Sequence, residues 1–113
     1  MKFFIALVVS FFIIPICYAA PDIYLFLGGS SAKQYERLLK NPKIKGVQIV
    51  YSWRKLEPKK NEYHFEFIEN DLKFLKSMGK NLFIQIQDKS FNPDVIPVPT
   101  YLLDKKYESG IAK

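Results

Sequence analysis

Cysteine and histidine are nearly missing from these 113 residues: each occurs once. A single cysteine excludes a disulfide framework and a cysteine-ligated zinc site, and a single histidine excludes a His-rich metal centre. Arginine is scarce too. Of 17 basic side chains only Arg37 and Arg54 are arginines, and bidentate reading of bases and phosphates favours arginine over lysine. The lysines are scattered, as at Lys33, Lys40, Lys43, Lys45, Lys73, Lys76 and Lys80. The net charge of +6 therefore reads as a solvated basic surface and not as a nucleic-acid partner. No Ser/His/Asp arrangement, phosphate-cradling glycine loop or metal-ligand spacing is present, so no metal and no cofactor are expected. Length excludes a complete (β/α)8 barrel, which needs roughly 250 residues, and leaves room for one small domain. Apolar content of 49% with 25% charged residues argues against intrinsic disorder.

The one long apolar run stands at the start. Lys2 is a minimal basic region, Phe3 to Ile14 is apolar apart from Ser10, and Pro15 breaks the run before Ile16-Cys17-Tyr18-Ala19-Ala20. This pattern reads as a secretory signal peptide over residues 1–19, cut after Ala19. An uncleaved anchor is the alternative, but the run is short against the ~20 apolar residues of a membrane span. The mature region is then 20–113, secreted or periplasmic, with no membrane association after cleavage. Residues 1–19 hold one lysine and no acid, so the mature charge is +5.

Beyond residue 19 the chain alternates. Ile23 to Leu27 is a short apolar run closed by Gly28-Gly29, as in a buried strand. Ser30 and Ser31 can cap a helix whose stripe is Ala32, Tyr35, Leu38 and Leu39, ended by Asn41-Pro42. Val47 to Tyr51 is a second strand, with Ser52-Trp53 at its C-terminal end. Pro58 to Asn61 is a turn cluster, and Asn61 tolerates a left-handed backbone. A helix follows over about Phe65 to Met78. Phe65, Ile68, Leu72, Leu75 and Met78 are its expected core face, Glu66, Glu69, Asp71, Lys73 and Lys76 its wet face, and Gly79 its stop. Leu82 to Gln87 is a third strand. A proline-rich loop leads to Tyr101, Leu102, Leu103 and Tyr107, which can open another helix. Strands alternating with helices through short loops imply βαβ units and a parallel sheet.

Particular residues carry a resemblance: Trp53 at a strand end, then Leu56-Glu57-Pro58, then Tyr63-x-Phe65 opening a helix, then Pro99-Thr-Tyr-Leu102. Over Gly46 to Leu102 the chain resembles the second and third β/α units of barrel glycoside hydrolases, the β-galactosidase-like family 42 and its cellulase-like relatives. Asn61 stands where the family has its turn glycine, and His64 where it has a helix-opening Asp. Val47 and Val50 stand where it often places Arg and Glu. The resemblance implies an α/β fold, a partial TIM (β/α)8 barrel of about three parallel strands. It implies hydrolysis of O-glycosidic bonds by two carboxyl groups about 5–5.5 Å apart in a retaining enzyme. In the family these lie after the fourth strand and near the seventh. The chain therefore reads as a truncated N-terminal portion without catalytic residues, and its open sheet edges as sites of self-association.

Barrel substrates bind at the C-terminal ends of the strands, so the candidate substrate-binding residues are Trp53, Gln85, Gln87 and Asp88. Trp53 can stack on a sugar ring or pack as an indole. Leu82, Ile84 and Ile86 share one face of the third strand, so Gln85 and Gln87 point into the barrel, to sugar hydroxyls or to a structural network. Asp88 can contact a ligand or start the loop. Glu57 reads as a turn element, Arg54 as a salt-bridge or loop-anchoring residue and His64 as a partly exposed helix-start residue. The rival functions are a non-catalytic secreted carbohydrate-binding module and a protein-interaction module.

Overall fold

A computed structural model describes residues 18–107. The signal-peptide reading of 1–19 lies, but for its last two residues, outside the described part. Strands β1 (Ile23–Phe26), β2 (Ile44–Ser52) and β3 (Asn81–Gln87) form one parallel sheet in the order β1-β2-β3. Helix α1 (Glu36–Leu39), preceded by a 3-10 turn over Ala32–Tyr35, connects the first pair. Helices α2 (Trp53–Leu56) and α3 (Glu66–Ser77) connect the second. Both crossovers lie on one face of the sheet, as in a sector of a (β/α)8 barrel.

The period-two alternation of β2 decides which face is which. Val47, Ile49 and Tyr51 are buried under the helices, in one core with Leu27, Ala32, Leu39, Ile44, Leu56 and Leu75. The other face carries Tyr24, Gly46, Gln48, Val50, Ser52, Asn81, Phe83, Gln85 and Gln87, which the register lines up in rows across the strands. Gly46 is required there: a Cβ would collide with the Asn81 carbonyl and the Tyr24 ring. β2 is longer than the expected Val47–Tyr51. Ile44 pairs with Ile23 and Gly46 with Asn81, which draws the connector into the sheet.

Two backbone expectations hold. Asn61 has φ 65° and Gly79 φ 67°. Gly79 N–H donates to the Lys76 carbonyl (3.1 Å) and Lys80 N–H to the Leu75 carbonyl (2.9 Å), a Schellman stop for α3.

Four expectations need correction. The first helix is a 3-10 turn joined to a single α turn, and the change of pitch rotates Leu38 out to solvent while Leu39 stays buried. Ser31 occupies the N-cap position but makes no side-chain cap; its hydroxyl donates to Asp71 instead. On α3, Asp71 is buried, whereas Phe65 and Leu72 are half exposed because no strand among the described residues lies outside β3. The residues around Tyr101 form short 3-10 turns, Thr100–Leu103 and Lys105–Tyr107, and not a helix. No helix among the described residues is long and apolar enough to cross a membrane.

Candidate functional site

The C-terminal ends of the three strands continue into Gly28-Gly29, Trp53 and Asp88. Because α3 runs antiparallel to the strands, its first half stands at that same end. Between them lies a cleft of about 330 Å³, whose lining includes Gly29, Ser52, Lys55, Asn70, Asp71 and Gln87. Ser52 caps α2 by accepting the Lys55 N–H (3.3 Å), which fixes where the Lys55 side chain leaves the backbone. The Lys55 ammonium sits 3.9 Å from the centre of the Phe67 ring, a cation–π contact.

Asp71 forms the inner wall. It is 6% exposed. Its Oδ1 accepts from Ser31 Oγ and from Ala32 N–H, both at 2.8 Å, and its Oδ2 from the Tyr51 hydroxyl at 2.8 Å. One carboxylate thus ties the loop after β1, the end of β2 and α3 together. Burial first, and then the Asp71 carboxylate, push the Tyr51 phenol well above its ordinary range.

A second carboxylate organises the α2 turn. Glu57 is buried and accepts from Trp53 Nε1 (2.8 Å), Asn61 N–H (3.0 Å) and the Tyr101 hydroxyl (3.0 Å). The Asn61 N–H, then Trp53, hold its carboxyl below the usual glutamate range. Burial and the Glu57 bond raise the Tyr101 phenol. Arg54 anchors the proline-rich loop: its backbone N–H donates to the Pro97 carbonyl (2.6 Å) and its Nε to the Val98 carbonyl (2.8 Å). His64 bridges Glu62 and Glu66, at 3.0 Å each, at the start of α3. Hydrogen bonds to those two carboxylates, Glu62 first, raise its pKa above the ordinary imidazole value.

The four candidate substrate residues do not meet in one cavity. Gln87 lines the cleft. Gln85 lies on the face away from the helices and accepts from Gln48 Nε2 (2.7 Å). Trp53 lines an apolar hollow with Leu56, Glu57, Tyr63, Phe65 and Ile86. Asp88 is exposed, beside the proline-rich loop. Sequence reasoning missed Asp71, Lys55 and Asn70. A signal for Asp71 was present, since Ile68, Asp71, Leu75 and Met78 stand at helical spacing on one stripe. No group of three or more metal-ligating side chains occurs among the described residues.

The sheet ends, the Trp53 turn and the aromatic opening of α3 can now be set against known families. The family model of glycoside hydrolase family 42, described as beta-galactosidase, matches residues 29–88, from the loop after β1 to the end of β3. The chain belongs to glycoside hydrolase family 42. No curated protein and no solved structure matches it. The chain's own buried acids at this end, Glu57 and Asp71, use their oxygens on structural donors.

Proposed function

We propose that this family-42 chain is an exported protein that supplies the first three β/α units of a glycosidase barrel. A galactoside ring rests at the C-terminal ends of the strands, and bond cleavage depends on carboxyl groups carried by further β/α units. The observation that carries this reading is the cleft at the strand ends. Gln87, Asn70 and Lys55 surround it with donors and acceptors suited to sugar hydroxyls, within the matched segment. Gln87 keeps its candidate role in this reading, and Trp53 gives up the stacking role for that of a turn-packing indole bonded to Glu57.

A direct test is a titration with a galactose-terminated oligosaccharide followed by nuclear magnetic resonance, alongside an assay on a chromogenic β-galactoside. Shifts at the Gln87 and Asn70 side-chain amides, with no turnover by the chain alone, are expected. Turnover by the chain alone, or shifts confined to the Trp53 hollow, would contradict the reading. The export part is tested separately by N-terminal sequencing of the mature protein, with Ala20 expected first and an intact Met1 contradicting it. The saturation of Glu57 and Asp71 favours one second reading, a sugar-binding module without catalysis. Galactoside binding that persists while added later β/α units restore no hydrolysis would select it.

A further inference from the structure

We infer that the pole formed by the N-terminal ends of the strands lies against an anionic phospholipid surface. The inference rests on where charge and apolar surface sit, and not on sugar binding. Parallel pairing brings the starts of β1, β2 and β3 to one pole, and α1 and α3 end there. Five lysines gather at it. Lys40 follows α1, Lys43 and Lys45 stand at the start of β2, Lys76 is in the last turn of α3, and Lys80 precedes β3. All but the half-buried Lys80 are exposed. The Lys80 ammonium donates to the carbonyls of Asn41 (3.1 Å) and Ile44 (2.6 Å), which ties the turn before β3 to the start of β2. Among the described residues the acids nearest this pole are Asp22, before β1, and Glu36, which pairs with Lys40 at 3.7 Å. The opposite pole mixes signs: Arg54, Lys55 and Lys59 stand among Glu57, Glu62 and Asp71. The surplus of positive charge is therefore one-sided. A barrel extended by further β/α units lengthens this pole sideways and leaves it facing outward.

Three features name the occupant. The first is residue type. The gathered charges are lysines, point charges on flexible stems, which suit mobile phosphate headgroups that offer no fixed fork to match. The second is apolar surface. A hollow of about 450 Å³ opens between the starts of β1 and β2, lined by Pro21, Ile23 and Pro42 together with Lys43 and Lys45. Ile23 is 46% exposed. Apolar surface beside lysines fits the boundary between headgroups and acyl chains, and a soluble polyanion has no use for it.

The third is chain direction. The apolar run from Phe3 to Ile14 joins the described chain ahead of Ala20, and Ala20 lines the same hollow. Six residue steps separate Ile14 from Ala20, a reach of at most about 20 Å, so a membrane that takes up the run meets this pole first. All five lysines lie after Ala19, so the contact outlasts cleavage. It is peripheral and held by charge, in contrast to the expectation that no membrane association follows cleavage. Each lysine near an anionic surface is worth about a fivefold change in partition. The five act together because they share one pole, and salt screens them beyond about 10 Å.

Co-sedimentation of the chain of residues 20–113 with lipid vesicles tests this. At about 0.1 M salt, binding is expected to vesicles of phosphatidylglycerol mixed with phosphatidylcholine, and none to phosphatidylcholine alone; about 1 M salt should release the chain. Lys43→Gln combined with Lys45→Gln should weaken the partition about thirtyfold, and Lys40→Gln combined with Lys76→Gln about as much. These four side chains are exposed, so the circular dichroism spectrum should stay unchanged. Lys59→Gln combined with Lys60→Gln, at the opposite pole, should change the partition less than about twofold. No binding to the anionic vesicles would overturn the inference, as would equal binding to neutral ones or equal losses from the two poles. Tighter binding to polygalacturonate than to the anionic vesicles, at matched charge, would overturn the lipid as occupant.

Discussion

β2 and β3 are neighbours in one sheet with a continuous parallel register, yet their environments are opposite. Ile49 of β2 is 1% exposed and its partner in the ladder, Ile84 of β3, is 48% exposed. The residues are identical in type and lie on the same face. The difference is what stands outside them: among the described residues β2 has a strand on each side and helices above it, whereas β3 has a strand on one side. Burial here follows position in the sheet, and apolar content alone does not report it.

The largest effect that sharpens this contrast is Ile49→Ala against Ile84→Ala. Ile49→Ala leaves a cavity in a closed core and should cost about 2–5 kcal/mol. Ile84→Ala, measured by urea unfolding at high dilution, should cost under about 1 kcal/mol. Equal losses would break the comparison. Next comes Asp71→Ala, which strips the acceptor from Ser31, Ala32 and Tyr51 at once and should cost about 3 kcal/mol. Asp71→Asn, which keeps one acceptor oxygen, should cost about half as much. A smaller loss is expected for Gly79→Ala, about 1 kcal/mol, because φ 67° disfavours a Cβ while no side chain crowds the site.

The smallest effect is electrostatic. The folded pKa of His64 is raised by Glu62 and Glu66, while Glu62 and Glu66 are lowered, Glu62 chiefly by the His64 bond. A raised imidazole stabilises the fold fully below its unfolded value of 6.5, and that contribution is lost as pH rises through the higher folded value. The lowered carboxyls contribute above the ordinary glutamate value of 4.5, and their contribution is lost as pH falls through the lower folded values. The cluster therefore stabilises most between about pH 5 and 6, weakly, because it is exposed. Replacing His64 by Gln should flatten the melting temperature between pH 5 and 8. An unaltered profile would remove the cluster from the account.

Much of this was legible in the residues. The strand–helix alternation, the left-handed Asn61, the Gly79 stop and the loop-anchoring Arg54 follow from local chemistry, and the structure has each of them. The failures share a cause. Asp71 looked solvated because it is charged, but three donors distant in sequence compensate its burial. Ser31 looked like a cap, yet its hydroxyl is turned to Asp71, to which it donates, and caps no backbone N–H. Phe65 and Leu72 looked like core because helical spacing cannot say whether a neighbour covers that flank. The site was less legible than the fold. Trp53, Gln85, Gln87 and Asp88 all sit near strand ends, but α2 turns the Trp53 indole onto Glu57, away from the cleft that Gln87 lines.

Amide hydrogen exchange on the chain of residues 20–113 tests the contrast between β2 and β3 most directly. Amides of Val47 to Tyr51 should be protected to the level of global unfolding, while every second amide of β3, the set pointing away from β2, should exchange about as fast as a loop. Uniform protection along β3 would contradict a sheet in which, among the described residues, β3 has β2 as its single strand neighbour.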